Sequence, residues 1–142
     1  MVQTIRSTLP LVVAAALAVL VPACSKGGQK PVFPVKGELR FKTKPAEGAL
    51  VVFHPVDGDD DPNKPRATTG TDGSFELTTY NANDGAPAGE YVVTVRWPAP
   101  KKTPFDGEGG DRLGGRYANP KTSKIRFTIG QETTQLPPIE LN

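Results

Sequence analysis

Glycine and proline interrupt this chain at short intervals from residue 24 onward, and no other feature restricts its fold so strongly. All 15 glycines and 13 of the 15 prolines lie beyond Cys24. Inside a helix Gly costs ~1 and Pro ~3 kcal/mol relative to Ala, so a helical bundle is disfavoured. The combined content stays below the ~25–30% that marks a disordered chain. The breakers fall between short alternating runs, as punctuation does between strands.

Val35-Lys-Gly-Glu-Leu39-Arg-Phe41 alternates, with Val35, Leu39 and Phe41 on the core face. After a turn at Lys44 to Gly48, Ala49 to Phe53 is apolar on both faces, as in a central or covered strand. Arg66–Thr71 and Ser74–Thr79 flank Asp72-Gly73, a hairpin signal that predicts a type I′ turn. Gly89 to Trp97 is the strongest strand, with Tyr91, Val93, Val95 and Trp97 on one face. Lys124–Ile129 alternates, Gly130-Gln131 turns the chain, and Thr133–Leu141 returns. Pro137-Pro138 removes two ladder donors, which makes that return an edge strand. The reading is all-β: a seven-stranded antiparallel sandwich of immunoglobulin or transthyretin type, behind an N-terminal signal helix.

Residues 1–23 read as an address. Arg6 precedes an uncharged apolar run, Leu11 to Val21, with the order of a signal peptide. That run is shorter than the ~20 residues needed to span a bilayer. Val21-Pro-Ala23-Cys24 resembles the bacterial lipobox, which makes Cys24 the lipidated first residue of the mature chain. Its acyl chains would hold the protein at the membrane, at ~0.8 kcal/mol per buried CH₂. Ser25, rather than Asp, follows the cysteine, so by resemblance the inner-membrane retention signal is missing. The expected location is the cell envelope, exported and lipid-anchored, at the outer membrane or cell surface. Residues 24–31 form a Gly-rich tether. Residues 32–142 are one domain in size.

Three elements together resemble the carboxypeptidase regulatory-like domain: Gly48-Ala49 with Val51 and Phe53, Thr71-Asp-Gly-Ser-Phe75, and Pro87-Ala-Gly-Glu-Tyr91 through Val95. Asp111-Arg-Leu-Gly-Gly-Arg116-Tyr117 to Ser123 is similar to a stretch of small planctomycete-type lipoproteins that carry this domain. The resemblance implies a seven-stranded transthyretin-like sandwich and a membrane location more than an activity. The regulatory-like module is a non-catalytic appendage of some metallocarboxypeptidases. The chain lacks the His-x-x-Glu zinc pair of the peptidases and the Tyr-Arg-Gly-Ser ending of the transthyretin-like hydroxyisourate hydrolases.

The chemistry-bearing residues are few. With one His and one Cys, the chain alone assembles neither a disulfide nor a His/Cys zinc site. A net charge of +2 disfavours nucleic acid, which calls for a concentrated basic face. His54 reads as a structural or surface residue, and no catalytic group is assigned. Asp57-Gly-Asp-Asp-Asp61 is a solvated loop or, less fittingly, a Ca²⁺ loop; its spacing is not that of an EF-hand. No metal or cofactor is expected. The long segment 98–123 is the best place for a binding surface: Trp97, Phe105, Arg112, Arg116 and Tyr117 are residue types that dominate interface hot spots. The alternative, which is favoured, is that Leu113 and Tyr117 merely cap a sheet edge. The expectation is a non-enzymatic, membrane-anchored module that binds an envelope protein or a glycan, or has a structural role. The alternative is a small-ligand carrier using a transthyretin-like cleft or dimer channel.

Overall fold

The computed structural model describes residues 28–58 and 61–142. The expected signal segment 1–23 and Cys24 lie outside the described residues, as do residues 25–27 of the expected tether and Asp59–Asp60. The described chain is all-β. Its strands are β1 (Val32–Phe33), β2 (Val35–Phe41), β3 (Lys44–Pro45), β4 (Leu50–Pro55), β5 (Arg66–Thr68), β6 (Ser74–Glu76), β7 (Ala86–Pro87), β8 (Gly89–Arg96), β9 (Arg126–Ile129), β10 (Thr134–Gln135) and β11 (Ile139–Leu141).

Two sheets share one core. The first runs β5-β4-β8-β9, antiparallel throughout. The second is built on β2, flanked by β6 and β10 near its start and by β3 and β11 near its end. A small antiparallel pair, β1 with β7, lies beside them. Alternation places Val35 and Leu39 of β2 in the same core as Val51 and Phe53 of β4 and Val93 and Val95 of β8. Burial of each such side chain is worth about 1.5–3 kcal/mol. Phe53 packs edge-on to Tyr91 at 5.8 Å and stacks near Phe127 at 6.2 Å. As expected, β4 is central, paired with β5 on one side and β8 on the other.

The structure corrects the sequence reading in three places. The chain from 133 to 141 does not fold back antiparallel on residues 124–129. It crosses to the other sheet and runs parallel to β2, as β10 and β11. Pro137-Pro138 splits it in two, and both pieces pair only with β2, so it is an edge. Second, β1, β3 and β7 have no counterpart among the seven expected strands. Each is two residues long, too short for alternation to register.

Third, Asp72-Gly73 is not a type I′ turn. Only Gly73 has positive φ, +78°, and Gly73 N–H donates to Gly70 C=O at 2.9 Å. Asp72 Oδ1 instead accepts from Ser74 N–H (2.9 Å) and Ser74 Oγ–H (2.6 Å), which fixes a turn closed by a left-handed glycine. This corner carries the chain from β5 in one sheet to β6 in the other.

The registers define two ends. Pro55, Tyr91, Val35 and the β1–β7 pair gather at the end where residues 28–31, part of the expected tether, lead into β1, called the tether end below; Lys30 N–H donates there to Tyr80 Oη at 3.2 Å. Phe41, Leu50, Arg96 and Trp97 gather at the opposite end. The eight residues of β8 separate the two by about 25 Å at ~3.3 Å per residue.

Candidate ligand-binding groove

The far end is organised by one carboxylate. After Trp97 the chain leaves as an arm and returns at Asp111. Its base is a short ladder: Ala99 N–H donates to Gly110 C=O (3.0 Å) and Arg112 N–H to Trp97 C=O (2.7 Å). Asp111 Oδ1 accepts from the backbone N–H groups of Trp97 (2.9 Å) and Leu113 (3.0 Å), and Oδ2 from that of Gly115 (2.9 Å). Partial burial works against its charge, but these three donors and nearby Arg96 outweigh it and hold the Asp111 carboxyl below its usual range. Gly114 and Gly115 both take positive φ, +63° and +75°, which lets the chain wrap around the carboxylate.

That wrap sets Arg112 over Trp97, its guanidinium carbon 3.7 Å from the ring centroid. The indole is otherwise committed. Its Nε1–H donates to Glu47 C=O at 2.7 Å, and Phe41 meets it edge-on at 5.7 Å. Trp97 is only 8% exposed. Above this floor lies an open groove of about 1010 Å³. Lys44, Pro45 and Glu47 form one wall; Pro98, Pro100, Lys101 and Glu108 of the arm form the other.

Of the five residues expected to form a surface, the structure brings Trp97 and Arg112 into direct contact. Arg116 and Tyr117 are turned to the end of the chain: Arg116 Nη1 donates to the Asn142 carbonyl oxygen at 2.7 Å and Tyr117 Oη–H to the same oxygen at 3.2 Å. The Tyr117 ring packs against the core, and its C=O accepts from Val95 N–H at 2.9 Å. Leu113 is buried. Leu113 and the Tyr117 ring thus both lie against the core at this end of the sheet. Phe105 stands at the arm's tip, 97% exposed, outside the groove. Sequence reasoning missed Phe41, Lys44, Pro45 and Glu47, which lie far from the 98–123 segment in sequence. It also missed the organising role of Asp111, for which Asp followed by Gly114-Gly115 was the available signal.

The tether end holds a smaller cavity of about 270 Å³. Pro55, Val56, Pro65, Pro87 and Tyr91 give it apolar walls, and Lys30, Asp61 and Glu90 lie at its margin. Tyr91 Oη–H donates to Pro87 C=O (2.8 Å), and Asp61 Oδ2 accepts from Tyr80 Oη–H (3.2 Å). Asp61 Oδ1 also accepts from Asn63 N–H (2.8 Å). His54 Nε2 lies 2.9 Å from Thr94 Oγ1; burial first, and Lys64 second, push its pKa down. Among the described residues no group of three or more His, Cys, Asp and Glu is arranged to hold a metal.

No protein-family profile and no curated protein sequence matches the chain. Solved structures resemble it in part. A DUF3823 family protein from Parabacteroides merdae is similar over 79% of this chain at 13% identity and TM-score 0.44; the chain spans 46% of that protein. A proposed carbohydrate-binding protein from Pseudomonas aeruginosa is similar over 80% of this chain, at 16% identity and TM-score 0.44, with 90% of its own length covered. The major pilin subunit of Bacillus cereus is similar over 78%, at 12% identity and TM-score 0.45, with 30% covered. At these values the likenesses assign no site residue.

Proposed function

We propose that the chain is a non-enzymatic recognition module of the cell envelope. In this reading Cys24 is lipidated, residues 24–31 tether the domain, and a transthyretin-like sandwich of the carboxypeptidase regulatory-like type displays the groove to a glycan or a protein. The observation that carries it is the Arg112–Trp97 pair at the floor of an open groove, set at the end of the domain opposite the tether. An anchored domain so arranged faces its groove away from the lipid surface.

Trp97 is the sole tryptophan, so its emission reports on this groove alone. Titrating the full chain with envelope polysaccharides and with purified envelope proteins is expected to shift that emission. Lys44→Tyr, which fills the groove from an exposed position, is expected to abolish the shift. A response that survives Lys44→Tyr contradicts the reading. An unmodified Cys24 thiol in intact-mass analysis of the membrane fraction contradicts the anchor.

The tether-end cavity favours a second reading, a small-ligand carrier. Its size is near the lower limit of ~300 Å³ for small-molecule sites. A ligand retained in native mass spectrometry and lost in Val56→Asp would support it.

A further inference from the structure

We propose that the groove is a receptor for a carboxylate-bearing glycan, with the Arg112 guanidinium, laid flat on Trp97, as its anion-binding group. This rests on the groove reading above and names its ligand class.

Charge is the first argument. Arg112, Lys44 and Lys101 line the groove, and none has a carboxylate within ion-pair distance among the described residues. Three cations line the groove against two carboxylates, Glu47 and Glu108, and Glu108 also has Arg96 at 3.9 Å. The balance favours an anion.

Geometry is the second argument. A guanidinium stacked on an indole keeps its fork of N–H donors in a fixed plane. Those donors match the two oxygens of a carboxylate, and little freedom remains to be lost on binding. The backbone beneath the stack is held, because Asp111 ties the backbone of Trp97 to that of Leu113 on either side of the arm.

The form of the groove selects the rest of the ligand. Trp97 is 8% exposed and covered by Arg112, so it offers no hole for a hot-spot side chain of a protein. What remains is an open groove lined by three prolines, Pro45, Pro98 and Pro100, and by Lys44 and Lys101. Such a surface suits an extended polyhydroxylated chain that carries its charge at intervals, as a uronate-containing polysaccharide does.

The test is titration of the full chain with an oligogalacturonate and with its carboxyl-reduced, neutral counterpart, read by Trp97 emission and by calorimetry. Polyglutamate serves as the acidic peptide control. The acidic oligosaccharide is expected to bind at least about tenfold more tightly than the neutral one. Arg112→Gln should erase that preference, and Arg112→Lys, which keeps the charge without the planar fork, should retain part of it. Added salt should weaken binding. Circular dichroism of both variants checks that they fold.

Equal binding of the acidic and neutral sugars, both abolished by Lys44→Tyr, would overturn the anion assignment and leave the groove reading standing. Polyglutamate binding as tightly as the uronate would overturn the glycan assignment. Binding of neither sugar would overturn the proposal outright. Binding that neither Arg112→Gln nor Lys44→Tyr alters would overturn the groove reading with it.

Discussion

The two ends of the domain use the same device for opposite purposes. At each, a partly buried aspartate collects three backbone N–H groups. At the tether end Asp84 accepts from Thr79 (2.8 Å), Tyr80 (3.0 Å) and Asn81 (2.8 Å). At the far end Asp111 accepts from Trp97, Leu113 and Gly115. Burial opposes both charges, and the donors hold both carboxyls below their usual range. The tether-end nest closes the chain on itself: Gly85 lies against Phe33 where β1 meets β7, and Thr79 Oγ1–H donates to Gly85 C=O at 2.6 Å. The far-end nest presents a side chain, because the residue after Asp111 is Arg112 and its backbone N–H is fixed to Trp97. Similar backbone chemistry yields a seal at one end and an exposed cation at the other.

The largest expected effect falls on the seal. Gly85 has φ +97°, and a Cβ there would overlap the Phe33 carbonyl. Gly85→Ala is expected to cost roughly 3–5 kcal/mol, seen as a lowered melting temperature in calorimetry. Unchanged melting would show that the β1–β7 seal contributes nothing.

Asp111→Asn comes next. An amide cannot accept from all three N–H groups without turning its own NH₂ toward one of them. About 1–3 kcal/mol should be lost, together with the fixed position of Arg112, so the emission of Trp97 should change in the absence of ligand. Asp111 is also a stability term with a sign. Its folded pKa lies below the unfolded value, so its contribution is present above ordinary carboxylate pH and is lost as pH falls through the depressed folded value. Acid unfolding curves of Asp111→Asn should lack that component.

His54 gives a smaller effect nearer the tether end. Its folded pKa is lowered, so the unfolded chain takes up the proton first as pH falls below about 6.5. Stability should therefore decline from there through the folded value, and His54→Gln should flatten that stretch of the melting-versus-pH curve. Affinity at the groove should stay constant over the same range; a parallel loss would mean that the two ends are coupled.

Phe105→Ser should change stability by less than about 0.5 kcal/mol, because the ring is 97% exposed. A measurable loss of glycan affinity in this variant would extend the site to the arm's tip.

Much of the core was legible in the sequence, because alternation alone reports which side chains face inward. Tyr91, Val93, Val95 and Trp97 are all buried as that pattern demands. Strand direction was not legible. Ile139, Glu140 and Leu141 alternate identically whether they run parallel or antiparallel to β2, and only the crossover between sheets decides it. The turn at Asp72 was misread for a local reason: its side chain bonds Ser74, which stabilises a conformation that needs one left-handed residue instead of two. The groove was half legible. Trp97 and Arg112 are near in sequence, but Lys44, Pro45 and Glu47 reach them only through the β2–β3 turn and the fold of the second sheet.

The central claim is that recognition occurs at the end remote from the tether. It is tested most directly by the affinity of the full chain for the acidic oligosaccharide in two variants, Arg112→Gln at the far end and Val56→Asp in the tether-end cavity. The account predicts a loss of about tenfold or more in the first and wild-type affinity in the second. Wild-type affinity in Arg112→Gln with loss in Val56→Asp would contradict it.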